Sequence, residues 1–218
     1  MARRNAKLGF YRSRRDFRRT PEPRGGRPGG PALKKNGNPI FVIQAHDASS
    51  LHWDFRLEVD GVLKSWAVPK GPSTDPRKKR LAVATEDHPL EYADFEGVIP
   101  EDAYGGGSVI VWDAGPYEAI HGAKEGNGQA GGVLAMRDAL ERGRVEVWLE
   151  GRKLRGGYAL IHSRTSGDER NWLLVKMKDE GADARRNPTR TQPESVVSGR
   201  TLEEVAEEEG RADDGDGR

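Results

Sequence analysis

The chemistry of this chain concentrates in one run, Phe41-Val-Ile-Gln-Ala-His-Asp-Ala-Ser-Ser-Leu-His-Trp-Asp-Phe-Arg-Leu-Glu58. Successive side chains of a strand point to opposite faces. Leu51, Trp53, Phe55, Leu57 and Val59 therefore share an apolar face, and His52, Asp54, Arg56 and Glu58 share the other. An ordinary solvated face is richer in Lys, Thr, Ser and Glu. A histidine, an aspartate and an arginine at consecutive same-face positions instead offer metal ligands beside an anion fork. Upstream, Gln44 and His46 share a face, and the five residues between His46 and His52 suit a tight strand-to-strand turn. Folded that way, His46, His52 and Asp54 make a three-ligand facial site for a divalent cation, with positions left for water or a phosphate oxygen. Arg56 adds a planar donor fork suited to phosphate. A cation and a guanidinium on either side of one phosphate supply charge neutralisation, positioning and transition-state stabilisation.

A second cluster follows in Arg80-Leu-Ala-Val-Ala-Thr-Glu-Asp-His-Pro-Leu-Glu-Tyr92. Alternation gives Arg80, Ala82, Ala84, Glu86 and His88 one face, with two alanines leaving room for a ligand between polar ends. His88 is a candidate general acid or phosphate donor, because an imidazole titrates near neutral pH. Lys70, in Val68-Pro-Lys-Gly-Pro72, stands at a strand end from which its point charge reaches the same groove.

These residues need strands to hold them. Short β-type runs bounded by turn residues are predicted at Ile40 to His46, His52 to Val59, Leu63 to Val68, Leu81 to Thr85, Ser108 to Trp112, Val145 to Leu149, Gly157 to His162 and Trp172 to Met177. Eight strands predict a mainly β fold, a small eight-stranded barrel or a closed sandwich, with flexible termini. The turn Val59-Asp60-Gly61-Val62 is a strong hairpin signal, since Asp-Gly accepts the positive φ angles of a primed turn. A short flanking helix is predicted over Gly131 to Arg142, where it could plug one barrel end. Trp112, Trp148 and Trp172 read as barrel core, and His121 and His162 as structural or surface histidines.

Hydrophobic residues make 34% of the chain and charged residues 33%, so part of the length, the two ends, is not expected to pack. Up to Ile40 there are twelve Lys or Arg against Asp16 and Glu22, whereas residues 199–218 carry eight acids against three Arg. The chain thus reads as a basic arm at 1–39, a barrel domain at 40–178 and a polar, acidic, disordered tail at 179–218. A basic arm points to a polyanion partner. The longest apolar run, Ser108 to Trp112, is far short of the roughly 20 residues a membrane helix needs, and because the basic stretch Met1 to Lys7 leads into no apolar stretch no secretory signal is expected there. A cytoplasmic monomer without membrane contact is expected. With no cysteine there is no disulfide framework, zinc knuckle or thiol nucleophile, so a metal must sit on histidine, carboxylate or water.

The strings His46 to Glu58, Trp66-Ala-Val-Pro-Lys-Gly-Pro72, Glu86-Asp-His-Pro-Leu-Glu-Tyr92 and Phe95-Glu-Gly-Val-Ile-Pro100 resemble the phosphoesterase domain of bacterial DNA ligase D. The arm segment Tyr11-Arg-Ser-Arg-Arg-Asp-Phe-Arg-Arg-Thr-Pro-Glu-Pro23 resembles that family's leading segment, and the likeness runs to about Met177. It implies a manganese-dependent groove that heals DNA or RNA 3′ ends in primer-template duplexes during non-homologous end joining. A terminal ribonucleoside is removed first and the exposed 3′-phosphate second. By motif position the implied metal ligands are His46, His52 and Asp54. Arg56, Arg80 and His88 take the phosphate-contacting positions, with Lys70, Gln44, Glu86 and Tyr92 around them. Arg15, Asp16 and Glu22 match arm residues the family needs. Implied partners are an ATP-dependent DNA ligase, a polymerase and Ku. The sequence departs from ligase D in lacking joined ligase and polymerase modules, so a free-standing enzyme or an excised domain is expected.

Three other readings compete. An adenylating ligase would need a lysine two residues before Asp60, where Glu58 stands. A non-haem Fe(II) oxygenase also uses two histidines and a carboxylate, but an arginine-rich groove and a basic arm favour phosphate. A non-catalytic nucleic-acid-binding module would need exposed stacking aromatics, and Trp53 and Phe55 fall on the packed face.

Overall fold

The structure is a computed structural model that describes residues 7–26, 31–33, 37–120, 133–164 and 167–215. His121 lies outside them. Among the described residues nine strands form one antiparallel sheet: β1 (Ile40–Asp47), β2 (Leu51–Val59), β3 (Val62–Val68), β4 (Lys79–Ala84), β5 (Gly97–Ile99), β6 (Gly107–Ala119), β7 (Arg144–Glu150), β8 (Arg155–His162) and β9 (Asn171–Lys176). The order β1-β2-β3-β4-β9-β8-β7-β6 closes on itself through pairing of β1 with β6, giving the expected eight-stranded barrel. β5, which no sequence run announced, adds to the far side of β6. Its three residues are too short for a periodic signal.

Register follows from the first hairpin. Asp60 and Gly61 both take positive φ, 54° and 77°, as the tight turn requires, and Val59 pairs with Val62. The alternation of β2 then sends Trp53, Phe55, Leu57 and Val59 into the barrel interior, with Phe41, Ile43, Trp66, Ile110, Trp112, Tyr158, Leu160 and Trp172. Trp148 departs from its expected place: Val145, Val147 and Leu149 occupy the inward positions of β7, which leaves Trp148 on the outer face and partly exposed. α2 (Val133–Arg142) covers one barrel end, where Met136 joins the interior and Arg137 donates to Asp60 at 3.0 Å.

The outer face of the β1–β6 wall carries a second apolar core. Ile40, Val42, Val109 and Val111, with Leu63 of β3, are covered there by Leu90, Tyr92 and Ala93 of the 3₁₀ turn Leu90–Asp94, by Phe95 just after it and by Tyr11 of α1 (Gly9–Ser13). The arm is therefore packed against the barrel where it bears Tyr11.

The chain beyond residue 178 also departs from expectation, because it packs. Thr74 donates to the carbonyl oxygens of Asp183 and Arg186 at 2.8 and 2.9 Å. After α3 (Pro188–Thr191) the Trp112 indole donates to the Gln192 carbonyl at 2.7 Å, and the Val196 amide donates to the Val111 carbonyl at 2.9 Å. α4 (Leu202–Gly215) buries Val205 completely, and Glu209 accepts from the Val98 amide of edge strand β5 at 2.7 Å. On this acidic segment Leu202 and Val205 are the apolar pair that packs against the barrel core, too short a hydrophobic stripe for composition to register. Val205→Asp should lower unfolding free energy by about 3 kcal/mol or more, since an unpaired charge would enter an apolar contact. Urea unfolding of the two proteins checks it, and a disordered tail would show no difference.

Candidate metal centre and phosphate site

The β1–β2 hairpin builds the centre. His46 and His52 are direct cross-strand partners and Gln44 pairs with Asp54, so all four side chains rise on the outer face. The two imidazole centroids lie 4.8 Å apart. Asp54 is buried, with His46 Nδ1 3.7 Å from Oδ2 and His52 Nε2 3.8 Å from Oδ1. One ligand atom from each of the three residues lies within 4.8 Å of the others.

The opposite ring nitrogens fix the tautomers. His46 Nε2 lies 2.9 Å from the Gly105 carbonyl oxygen, and His52 Nδ1 lies 2.9 Å from that of Ser50. A carbonyl only accepts, so each of these nitrogens donates. In neutral imidazoles that leaves lone pairs at His46 Nδ1 and His52 Nε2, both turned toward a carboxylate. Two lone pairs and an anion facing one another call for a cation between them, and carbonyl-anchored histidines are the usual support of metal ligands. The donor set therefore fits a divalent ion. The carbonyl at Gly105 comes close because β6 starts against the β1–β2 turn: at Gly107, with φ of 136°, any Cβ would collide with the Asp47 carbonyl.

Arg56 anchors Asp54. Its NH2 donates to Asp54 Oδ2 at 2.9 Å, its Nε to Gln44 Oε1 at 2.8 Å and its NH1 to Ser65 Oγ at 2.8 Å. Gln44 in turn donates to the carbonyls of Tyr92 and Phe95 at 3.0 and 2.9 Å. Burial pushes the Asp54 carboxyl up, but Arg56 and then the two histidines outweigh it and hold it well below the usual range. Three of the five guanidinium donors are thus committed to protein. Gln44 acts through Arg56 and is a positioning residue.

The arm supplies the other wall. Arg15 Nε donates to Glu22 Oε1 at 2.8 Å, its NH1 to Glu86 Oε1 at 3.0 Å, and its NH2 lies 3.4 Å from His88 Nε2. Glu22 also accepts from Thr20 Oγ1 at 2.9 Å and from Tyr92 Oη at 3.1 Å. Burial opposes the Arg15 charge, yet Glu22 more than compensates and raises its affinity for the proton. His88 is buried, and its Nδ1 donates to the Glu86 carbonyl at 2.9 Å, so Nε2 carries the lone pair that faces Arg15. Burial, then Arg56 and Arg15, depress its proton affinity well below the ordinary 6.5. In this neutral form Nε2 is a hydrogen-bond acceptor, whereas a role as general acid or phosphate donor needs that nitrogen protonated. Tyr92 lies under the Arg56 guanidinium, 4.9 Å from ring centroid to carbon, and edge-on to His88 at 4.8 Å.

Three expected residues are not joined to this cluster by any hydrogen bond or ion pair among the described residues. Arg80 shares the inward face of β4 with buried Ala82, opposite Leu174, and its buried Nε has no partner. The supposed common face fails because β4 ends at Ala84. The chain then turns, with the Thr85 amide on the Ser65 carbonyl and His88 bridging Leu63, so Glu86 and His88 emerge on the outer side. Lys70 is exposed just past β3, whose Val68 pairs with Trp53, so it lies at the barrel end that bears His52. Asp16 is exposed and accepts from the Arg18 amide at 3.1 Å, setting the turn after Arg15. Sequence reading missed Ser65, Gly105, Tyr11 and Tyr104. Ser65 was within reach, because the hairpin turn dictates its place opposite Arg56.

A barrel wall bearing a candidate His-His-Asp ligand set beside two buried arginines fits a phosphoester hydrolase. The family model for the DNA ligase D 3′-phosphoesterase domain matches residues 44–162, and the chain belongs to that family. It is 48% identical over 197 residues to the multifunctional non-homologous end joining protein LigD of Pseudomonas aeruginosa, covering 89% of this chain and 22% of that protein. The corresponding DNA repair protein LigD of Mycobacterium tuberculosis is 44% identical over 174 residues, 80% of this chain and 20% of the relative. LigD of Mycolicibacterium smegmatis is 44% identical over 180 residues, 80% of this chain and 21% of the relative. The chain spans about a fifth of the length of these relatives. Membership sets aside the oxygenase and adenylating-ligase readings. No helix among the described residues is long and apolar enough to cross a membrane.

Two outcomes are expected from this geometry. His88 binds protons more weakly folded than unfolded, so below about pH 6.5 the unfolded chain takes up more protons and stability falls; Asp54 adds a further loss below about 3.8. Urea midpoints measured in chelator from pH 7.5 to 5 should therefore decline, and His88→Gln should flatten the decline. Equal slopes in both proteins would count against a buried neutral imidazole. Glu22→Ala removes the acid that orients Arg15 and Tyr92, and should lower turnover at saturating substrate by roughly tenfold or more. Because losing an acid cannot weaken a simple cationic tether, unchanged turnover would return the arm to a purely electrostatic role.

Proposed function

We propose that this protein is a metal-dependent 3′-end-healing phosphoesterase. It removes a 3′-terminal ribonucleoside and then the 3′-phosphate from DNA or RNA primer ends, leaving a 3′-hydroxyl for end joining. The single observation that carries this reading is the pair of carbonyl-anchored imidazoles whose lone pairs face the buried Asp54 carboxylate, next to Arg56. His46, His52 and Asp54 hold the cation, and Mn2+ is the ion we assign. Bound there, a divalent cation supplies Lewis-acid polarisation of the phosphoryl group.

The chain's own groups do the rest. Arg56 fixes the Asp54 carboxylate and, with Arg15, offsets charge on the phosphate. Both guanidiniums are held by buried partners, so little reorganisation accompanies the build-up of charge in the transition state. His88 Nε2 takes the proton of the attacking hydroxyl, from water or a neighbouring ribose 2′-hydroxyl, and returns it to the departing oxygen. Glu86 shares Arg15 with Glu22, and Tyr92 walls the space between Arg56 and His88. Gln44 positions Arg56, and Asp16 maintains the turn that presents Arg15. Lys70 and Arg80, at the barrel end of His52, draw the nucleic-acid strand toward the centre. The arm at 1–39 is part of the site and the barrel domain occupies 40–178. We infer that the protein acts as a cytoplasmic monomer at breaks also served by an ATP-dependent DNA ligase, a polymerase and Ku.

The test is a primer-template with one 3′-ribonucleotide, incubated with and without Mn2+ and followed by product sizing. We expect loss of one nucleoside and then of the 3′-phosphate. His52→Ala should lower the rate by at least about a hundredfold, with loss of bound metal. Undiminished turnover in excess chelator would overturn the metal assignment, and an unaltered primer would overturn the phosphoesterase reading.

A further inference from the structure

Two aromatic side chains stand in solvent beside the site and serve neither apolar core. Phe10 of α1 is 54% exposed and Tyr104, in the loop before β6, is 42% exposed. The exposed Arg14 guanidinium lies over both rings, 4.6 Å from the Phe10 centroid and 4.9 Å from that of Tyr104. Arg15 lies 5.4 Å from the same Tyr104 centroid. Two large exposed rings joined by one guanidinium offer a flat surface on which a ligand can stack.

The character of the surface limits what that is. Aromatic faces with an interleaved guanidinium form a platform on which any nucleobase stacks, because every base presents a π-face. The surrounding arm is strongly basic, which suits a polyanionic strand and disfavours a basic one. Position narrows the occupant further. Tyr104 Oη donates to Glu86 Oε2 at 3.4 Å, and the carbonyl of the next residue, Gly105, anchors the ligand histidine His46. The platform is thus joined to both halves of the site.

We propose that Phe10, Arg14 and Tyr104 form a stacking platform for the nucleobase of the nucleotide adjoining the reacting phosphate. The assignment of that phosphate rests on the phosphoesterase reading above. The platform gives affinity for an end without discriminating its sequence, as a general end-processing site requires. It also gives the arm a second role, since one stacking ring and the bridging guanidinium come from it.

The experiment measures equilibrium binding of the full chain, in chelator, to two duplex probes by fluorescence anisotropy. One probe has an ordinary 3′-terminal nucleotide and the other an abasic residue at that position. The ordinary probe should bind the wild-type chain roughly tenfold more tightly than the abasic one. Tyr104→Ala and Phe10→Ala should each erase most of that difference by weakening only the ordinary probe. Tyr104→Phe should retain it, because a ring stacks without its hydroxyl. Equal weakening on both probes, no weakening, or a Tyr104→Phe protein as impaired as Tyr104→Ala would overturn the platform. Chelator keeps this readout apart from catalysis. Normal end healing with no base-dependent binding removes the platform alone, whereas base-dependent binding without product formation supports the platform and removes the phosphoesterase reading.

Discussion

The contact between Arg56 and Asp54 is the one on which this site depends. Both groups are buried, and a carboxylate taken out of water is tolerable only when its charge is answered at close range. Arg56 answers it, and Gln44 and Ser65 hold Arg56 so that the carboxylate faces the two histidines rather than the arginine alone. Around this pair the buried groups form a small charge system. Asp54, Glu22 and Glu86 are acids and Arg56 and Arg15 are bases, with three imidazoles between them. One negative charge is left over. A divalent cation would reverse its sign, giving an excess that a singly charged phosphoester would neutralise.

The barrel separates stability from chemistry by the two faces of its strands. The interior is filled mainly by tryptophan, phenylalanine, leucine and valine, and all eight barrel strands contribute, β4 through Ala82. The site lies on the outside of the wall, and its shielding from water is borrowed from elements that are not part of the barrel. The 3₁₀ turn Leu90–Asp94 supplies Tyr92 as a wall, and the arm supplies Tyr11 and the Arg15–Glu22 pair. Changes inside the barrel therefore act on the site through stability, whereas changes in the covering elements act on its electrostatics directly.

Much of this was legible in the sequence, and for identifiable reasons. Strand alternation sorts His52, Asp54 and Arg56 from Trp53 and Phe55, and the Asp60-Gly61 turn locks the register of β2 on β3. The approach of His46 to His52 follows from the short turn between them. Relations that depend on loops were not legible. The Gly105 carbonyl that orients His46 belongs to a glycine run with no side chain to read, and Glu86 and His88 were placed on the face of Arg80 and Ala82 because a period cannot reveal where a strand stops. The tail after residue 178 was misjudged for a related reason: Leu202 with Val205 and the backbone at 192 and 196 anchor it at scattered points, and one apolar pair is too short a stripe to betray it.

The Arg15–Glu86 contact joins residues 71 positions apart in the chain, and this has a consequence in time. During synthesis the arm is made first, yet β1 to β4 and the turn bearing Glu86 must exist before Arg15 has anywhere to bind. At 5–20 residues per second Arg15 waits roughly 4 to 14 seconds for its partner to be polymerised. A basic segment held free that long does no chemistry, because every other member of the cluster lies downstream of it. The Arg15 contacts therefore cannot form until the chain has been made through Glu86, and a chain that stalls before then carries the basic arm without its partners.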